Sequence, residues 1–86
     1  MKEAMMPRKS GQTTTERILR LLALAGDPER AISEGRLGPT QEAAVRALVY
    51  DGLSTREIAE ALGISAPRVH EALQRALEHL EAVVRE

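Results

Sequence analysis

The chain contains no cysteine, no tryptophan and no phenylalanine, and Tyr50 is its one tyrosine. Without cysteine there are no disulfides, no thiolate metal ligands and no cysteine nucleophile, and nothing suggests an oxidising compartment, so the cytosol is the expected location. The dearth of aromatics leaves Leu, Ile, Val and Ala to build the core, a mixture suited to helix packing on helix. Long hydrophobic runs are missing as well: no stretch of about 18 apolar residues exists, and Met1 to Thr15 lacks the apolar segment of a secretory signal. Neither membrane insertion nor export is expected. Positive charge is not in excess, with 12 Lys and Arg against 13 Asp and Glu and a net charge of −1. Nucleic-acid binders draw much of their affinity from neutralised phosphates, so any such surface here must be local. The charge is uneven, since residues 1–39 sum to +2 and residues 40–86 to −3.

Eighty-six residues suffice for one small domain with a modest core. Residues 1–12 mix Lys2, Arg8 and Lys9 with Pro7 and Gly11 and show no apolar period, which reads as a flexible basic arm. Residues 13–36 read as an N-terminal helical extension. Thr13 to Glu16 has the form of a capping box and precedes Ile18, Leu21, Leu22 and Ala25 at helical spacing, with Gly26 as the stop. Asp27-Pro28 then pairs an N-cap with a proline at the first helical position, opening a short helix that Gly35 ends.

Residues 37–86 carry the rest. Thr40 is the expected cap of a helix bearing Ala44, Val45, Leu48 and Val49 on one face, ended by Asp51-Gly52. Ser54 to Glu57 forms another capping box, opening a short helix with Ile58, Ala59 and Leu62 inward and Gly63 at its end. Ser65 caps the last helix, where Pro67 is tolerated in the first turn and Val69, Leu73, Ala76, Leu77, Leu80 and Val84 form one stripe.

The informative stretch is Thr55 to Leu73. Ala59 is small enough to let the following helix cross closely, and Gly63 can take the left-handed conformation that a tight turn demands. Ile58, Leu62, Ile64 and Val69 fix the crossing. A helix held in this way projects its N-terminal half, and an α-helix fits the major groove of B-DNA, roughly 12 Å wide.

Gly52-Leu53-Ser54, Glu57 to Ser65, Val69, Leu77 and Leu80 together resemble the LuxR-type output domain. Arg68-Val69 after the turn and Arg75 to Leu80 at the end of the helix make the chain similar to sigma-factor region four as well. The resemblance spans Leu37 to Glu81 and omits the N-terminal helices. Where LuxR-type domains carry a basic residue after the buried Val and a His two positions further on, this chain has His70 and Ala72. The resemblance implies an all-α bundle around a helix-turn-helix that reads double-stranded DNA with the helix starting near Ala66, and, in the LuxR type, a homodimer. Thr55, Arg56 and Ser65 then stand where helix starts meet phosphates. Arg68, His70, Glu71, Gln74 and Arg75 stand on or beside the outward arc of the recognition helix, where Arg suits guanine, Gln suits adenine and Glu accepts from cytosine.

Plainer readings stand beside these. A helical hairpin with a glycine turn is also a common packing motif, and the charges of the last helix also make an ordinary solvated face with Glu71 and Arg75 paired at i, i+4. Leu73, Leu77, Leu80 and Val84 fit either a seam between two copies or a core stripe on Val45 and Leu48. His70 and His79 are nine residues apart with no thiol to complete a site, and His70-Glu71-Ala72-Leu73-Gln74 lacks the second histidine of a zinc-protease helix, so no metal is expected. No cofactor and no enzymatic activity are expected, since the carboxylates lack an enclosing apolar pocket. At this length no receiver or ligand-binding domain is expected, and regulation is expected to come from abundance, partners or oligomerisation. A transcription regulator reading DNA is the leading expectation. The alternative is a protein-binding module that docks on RNA polymerase, a sigma factor or another regulator through its acidic last helix.

Overall fold

The computed structural model describes residues 13–84, so the arm expected at 1–12 lies outside the described residues. Among them are five helices and no strand: α1 Thr14–Ala25, α2 Pro28–Gly35, α3 Pro39–Tyr50, α4 Thr55–Leu62 and α5 Ala66–Val83.

Side-chain caps set most of the starts. The Thr13 hydroxyl accepts from the Glu16 amide at 3.3 Å, Asp27 Oδ1 from the Arg30 amide at 3.2 Å, and Ser65 Oγ from the Arg68 amide at 3.3 Å. Each satisfies an amide that has no partner inside its helix. The box at Ser54 closes both ways, with Glu57 donating its amide to Ser54 Oγ at 3.2 Å and accepting the Ser54 amide at 2.9 Å. At Thr13 only the forward half forms, and the hydroxyl lies 3.1 Å from that of Thr15.

One expected boundary is corrected and another gains an explanation. Thr40 does not cap α3. The helix begins at Pro39 with Gly38 as its cap, and Gln41 Oε1 takes the Gly38 amide at 3.1 Å, which leaves Thr40 inside the first turn. α2 ends at Gly35 as expected, although Gly35 itself is not left-handed. It is the last residue of that helix, and Arg36 takes the left-handed conformation with φ 54°. Packing explains the exchange, because a Cβ on Gly35 would stand 3.4 Å from Leu80 Cδ2 and 3.8 Å from His79 Cβ. The glycine permits a close helix approach, and a residue with a side chain bears the turn.

The core is wholly aliphatic, and among the described residues no polar or charged side chain is buried. Ile18 and Leu22 of α1, Ala31 and Ile32 of α2, Val45 and Leu48 of α3, Ile58 of α4 and Val69, Leu73, Ala76, Leu77 and Leu80 of α5 belong to one cluster. Segments 13–36 and 37–86 are therefore distinct in sequence but share one core. Leu73, Leu77 and Leu80 are buried inside the single chain, as a core stripe requires, and Val84 is half-buried. α5 is the spine, packing against each of the other four helices. No helix of the described residues is long and apolar enough to cross a membrane.

Candidate nucleic-acid interface

The turn between α4 and α5 is built from the residues that the sequence singled out. Gly63 is left-handed at φ 71°, and its amide and that of Ile64 both bond to the Ala59 carbonyl, the latter at 3.1 Å. This closure satisfies orphan carbonyl capacity at the end of α4 and reverses the chain within two residues. Ile58 and Val69 are fully buried on either side of the turn, with Leu62 and Ile64 packed at the edge of the core. The start of α5 is thereby fixed by aliphatic contacts from both flanks.

On α5 the two faces separate cleanly. Val69, Ala72 and Leu73 turn into the core, while Arg68, His70, Glu71, Gln74 and Arg75 are exposed. Positions 68, 71 and 75 follow the 3 and 4 residue steps of one helix face, and His70 and Gln74 flank it. Ser65 and Arg56 are exposed, and Thr55 is half-buried. Sequence reasoning missed two neighbours of this strip. Thr40 and Gln41, at the start of α3, line a shallow groove of about 200 Å³ together with Arg68, Glu71, Ala72 and Arg75. No local pattern joins residues 27 or more positions apart, so only the packing of α3 on α5 brings them to one surface.

The acidic residues of this half are partly engaged. Glu71 lies 3.8 Å from Arg75, Glu81 lies 3.5 Å from Arg17 of α1, and Glu57 is bound into the cap of α4. Among the described residues no ion pair engages Arg56 or Arg68. Two guanidinium groups therefore face solvent, one at the start of α4 and one in the first turn of α5.

A second polar cluster joins α2 to α3. Arg46 forms a two-pronged pair with Glu29, Nη1 to Oε2 at 2.5 Å and Nη2 to Oε1 at 2.9 Å, and its Nε donates to Glu42 at 2.9 Å. The Tyr50 hydroxyl donates to Glu29 at 2.6 Å, and the Arg46 guanidinium sits 6.0 Å from the centre of the Tyr50 ring. Hydrogen bonds from Arg46, then from Tyr50, hold the Glu29 carboxyl down at about 2 against an ordinary 4.5, while the same bond raises Tyr50. A lowered carboxyl favours the folded state fully above pH 4.5 and loses that contribution as pH falls toward 2. Glu29→Gln is expected to lower the melting temperature at pH 7, and the gap to the parent chain should close by about pH 2, read by circular dichroism. A gap that did not narrow with falling pH would refute the assignment to the ionised carboxylate.

His79 is exposed but has a structural partner. Its Nδ1 lies 2.9 Å from the Gly35 carbonyl and, as the N–H tautomer, donates to this oxygen at the end of α2.

Comparison with protein families supplies the remaining finding: the chain matches sigma-70, region 4 over residues 35–80. No curated protein and no solved structure matches it. Of the two resemblances in the sequence, the match therefore supports the sigma-factor one. The matched span runs from the last residue of α2 to Leu80, the last fully buried residue of α5, and so encloses α3, the turn and the exposed strip of α5. With more than half of its length accounted for in this way, the chain belongs to the sigma-70 region 4 family.

Proposed function

We propose that the protein is a binding protein rather than an enzyme, a cytoplasmic transcription regulator that reads double-stranded DNA sequence-specifically with the N-terminal half of α5. The observation that carries this reading is the exposure of Arg68, Glu71, Gln74 and Arg75 on a helix whose other face is locked by Val69 and Leu73. Membership in a family whose domains bind DNA and RNA polymerase supports it. Arg68 and Arg75 have the fork geometry that suits guanine edges, Gln74 suits adenine, and Ser65, Thr55 and Arg56 stand where helix starts meet phosphates. As a homodimer, the protein would offer two such helices, and a separation of about 34 Å would match successive major grooves.

The test is selection from a pool of random duplexes at low salt. An enriched motif is expected, with binding that weakens by about 0.9 log units per neutralised phosphate for each tenfold rise in salt. Glu60 and Glu78 favour a second reading, docking on RNA polymerase or another transcription protein. Both are exposed, and among the described residues neither has an ion-pair partner. A stoichiometric protein partner captured from extract, with no enriched motif, would replace the first reading by this one.

A further inference from the structure

The end of the molecule formed by α1, α2 and the last turn of α5 carries a feature that neither the core nor the DNA-reading strip uses. Leu24 is 62% exposed, the most exposed large apolar side chain among the described residues. It stands between two hollows and lines both. One, of about 290 Å³, has Ala25, Ala31, Val83 and Val84 in its walls. The other, of about 230 Å³, is formed with Leu21. A projecting leucine with a recess on each side, apolar at its base and charged at its rim, has the shape of a knob beside its own socket.

The charges around it are divided in a telling way. The smaller hollow is rimmed by Arg17, Arg20 and Glu81, net positive, and the larger by Asp27, Arg30 and Glu34, net negative. A two-fold axis passing near Leu24 lays each rim over the opposite rim of a second copy. Such an arrangement is self-complementary in charge as well as shape, the condition for an isologous contact. Arg20 has no ion-pair partner among the described residues, and the second copy's Asp27 or Glu34 would provide one.

We infer that this surface, centred on Leu24, is the site at which two copies of the chain associate. The contact uses the C-terminal ends of α1 and α5, so the exposed strip at the start of α5 stays clear in both copies. The inference deepens the DNA-binding reading by naming the surface that pairs two recognition helices, yet its test needs no DNA.

The experiment is sedimentation equilibrium of the full chain over a hundredfold range of concentration. The parent is expected to shift from the mass of one chain toward that of two. Leu24→Glu should weaken association at least tenfold with helicity unchanged, and Arg20→Glu should weaken it less. Leu19→Glu places the same charge on α1 at a residue that lines neither hollow and should leave association intact. Should Leu24→Glu lose helicity, Leu24→Ala removes the knob without adding charge and is expected to weaken association likewise. A parent that stays monomeric throughout, or a Leu24 variant that associates as tightly as the parent, overturns the proposal. Association that appears only after residues 1–12 are removed overturns it too, assigning the hollows to that segment. A monomer that still selects a DNA motif defeats this inference alone, and a dimer that selects none defeats the DNA reading alone.

Discussion

Leu80→Ala is expected to destabilise the protein by about 2 to 5 kcal/mol, the range for truncating a fully buried leucine, because the lost transfer energy is joined by the cost of a cavity. Leu80 is 0% exposed, sits in the single aliphatic cluster, and lies within van der Waals reach of the position that a Cβ on Gly35 would take. The sensitivity follows from composition. With no Phe or Trp in the sequence, no large ring can relax into the gap, and each branched aliphatic carries a large share of the core. A chain of this size has about 5 to 15 kcal/mol of stability in total, so the variant stands close to unfolding at room temperature. Urea denaturation followed at 222 nm measures it, and a cost below about 1 kcal/mol would show that the end of α5 is not part of the cooperative core. Because Leu80 meets the helix that precedes the matched family region, the variant should unfold in one transition, not as a loosened extension on an intact helix-turn-helix.

The second large effect concerns the reading strip. Given an enriched duplex, Arg68→Ala or Arg75→Ala is expected to reduce affinity by about 1 to 3 kcal/mol if the side chain contacts a guanine through both prongs, and to flatten preference at one base pair. The two arginines differ before DNA arrives. Arg75 is already within 3.8 Å of Glu71, whereas Arg68 has no ion-pair partner among the described residues. Exposed pairs of the first kind contribute at most about 1 kcal/mol, so Arg75 gives up little when it turns to a base. Glu71→Ala thus separates a glutamate that accepts from cytosine, whose loss weakens binding, from one that merely restrains its neighbour. Isotherms for Arg68→Ala and Arg75→Ala that overlay the parent would remove both from the site.

Most of the architecture was legible because it is written in short-range chemistry. Thr13, Asp27, Ser54 and Ser65 begin helices within three residues of the amides that they bind, and Gly26 and Gly63 end them by their own backbone freedom. The expectation fell short where a residue answers to a distant neighbour. Gly35 is the last residue of α2 as its glycine suggested, yet it also serves the approach of Leu80, forty-five positions on, and the left-handed turn passes to Arg36. Thr40 looked like a cap because hydroxyls usually are, yet Gln41 reaches back from within the helix and leaves Gly38 at the boundary. The bond between His79 and the Gly35 carbonyl, and the cluster of Glu29, Arg46 and Tyr50, span 44, 17 and 21 positions and have no local signature. The exposed strip of α5 was legible as a face, because burial of Val69 and Leu73 dictates what points outward. The family was harder to separate, since the turn itself is common to both resemblances and the distinction rests on the residues after it.

One helix ties the contacts together: α5 touches all four of its neighbours, with its exposed strip near one end and Leu80 near the other. Such a molecule has no lobe that can be shed. Anything that clasps the first turns of this rod also steadies the far bundle, and any loosening of the far bundle is felt at the tip, so binding there and folding are thermodynamically linked.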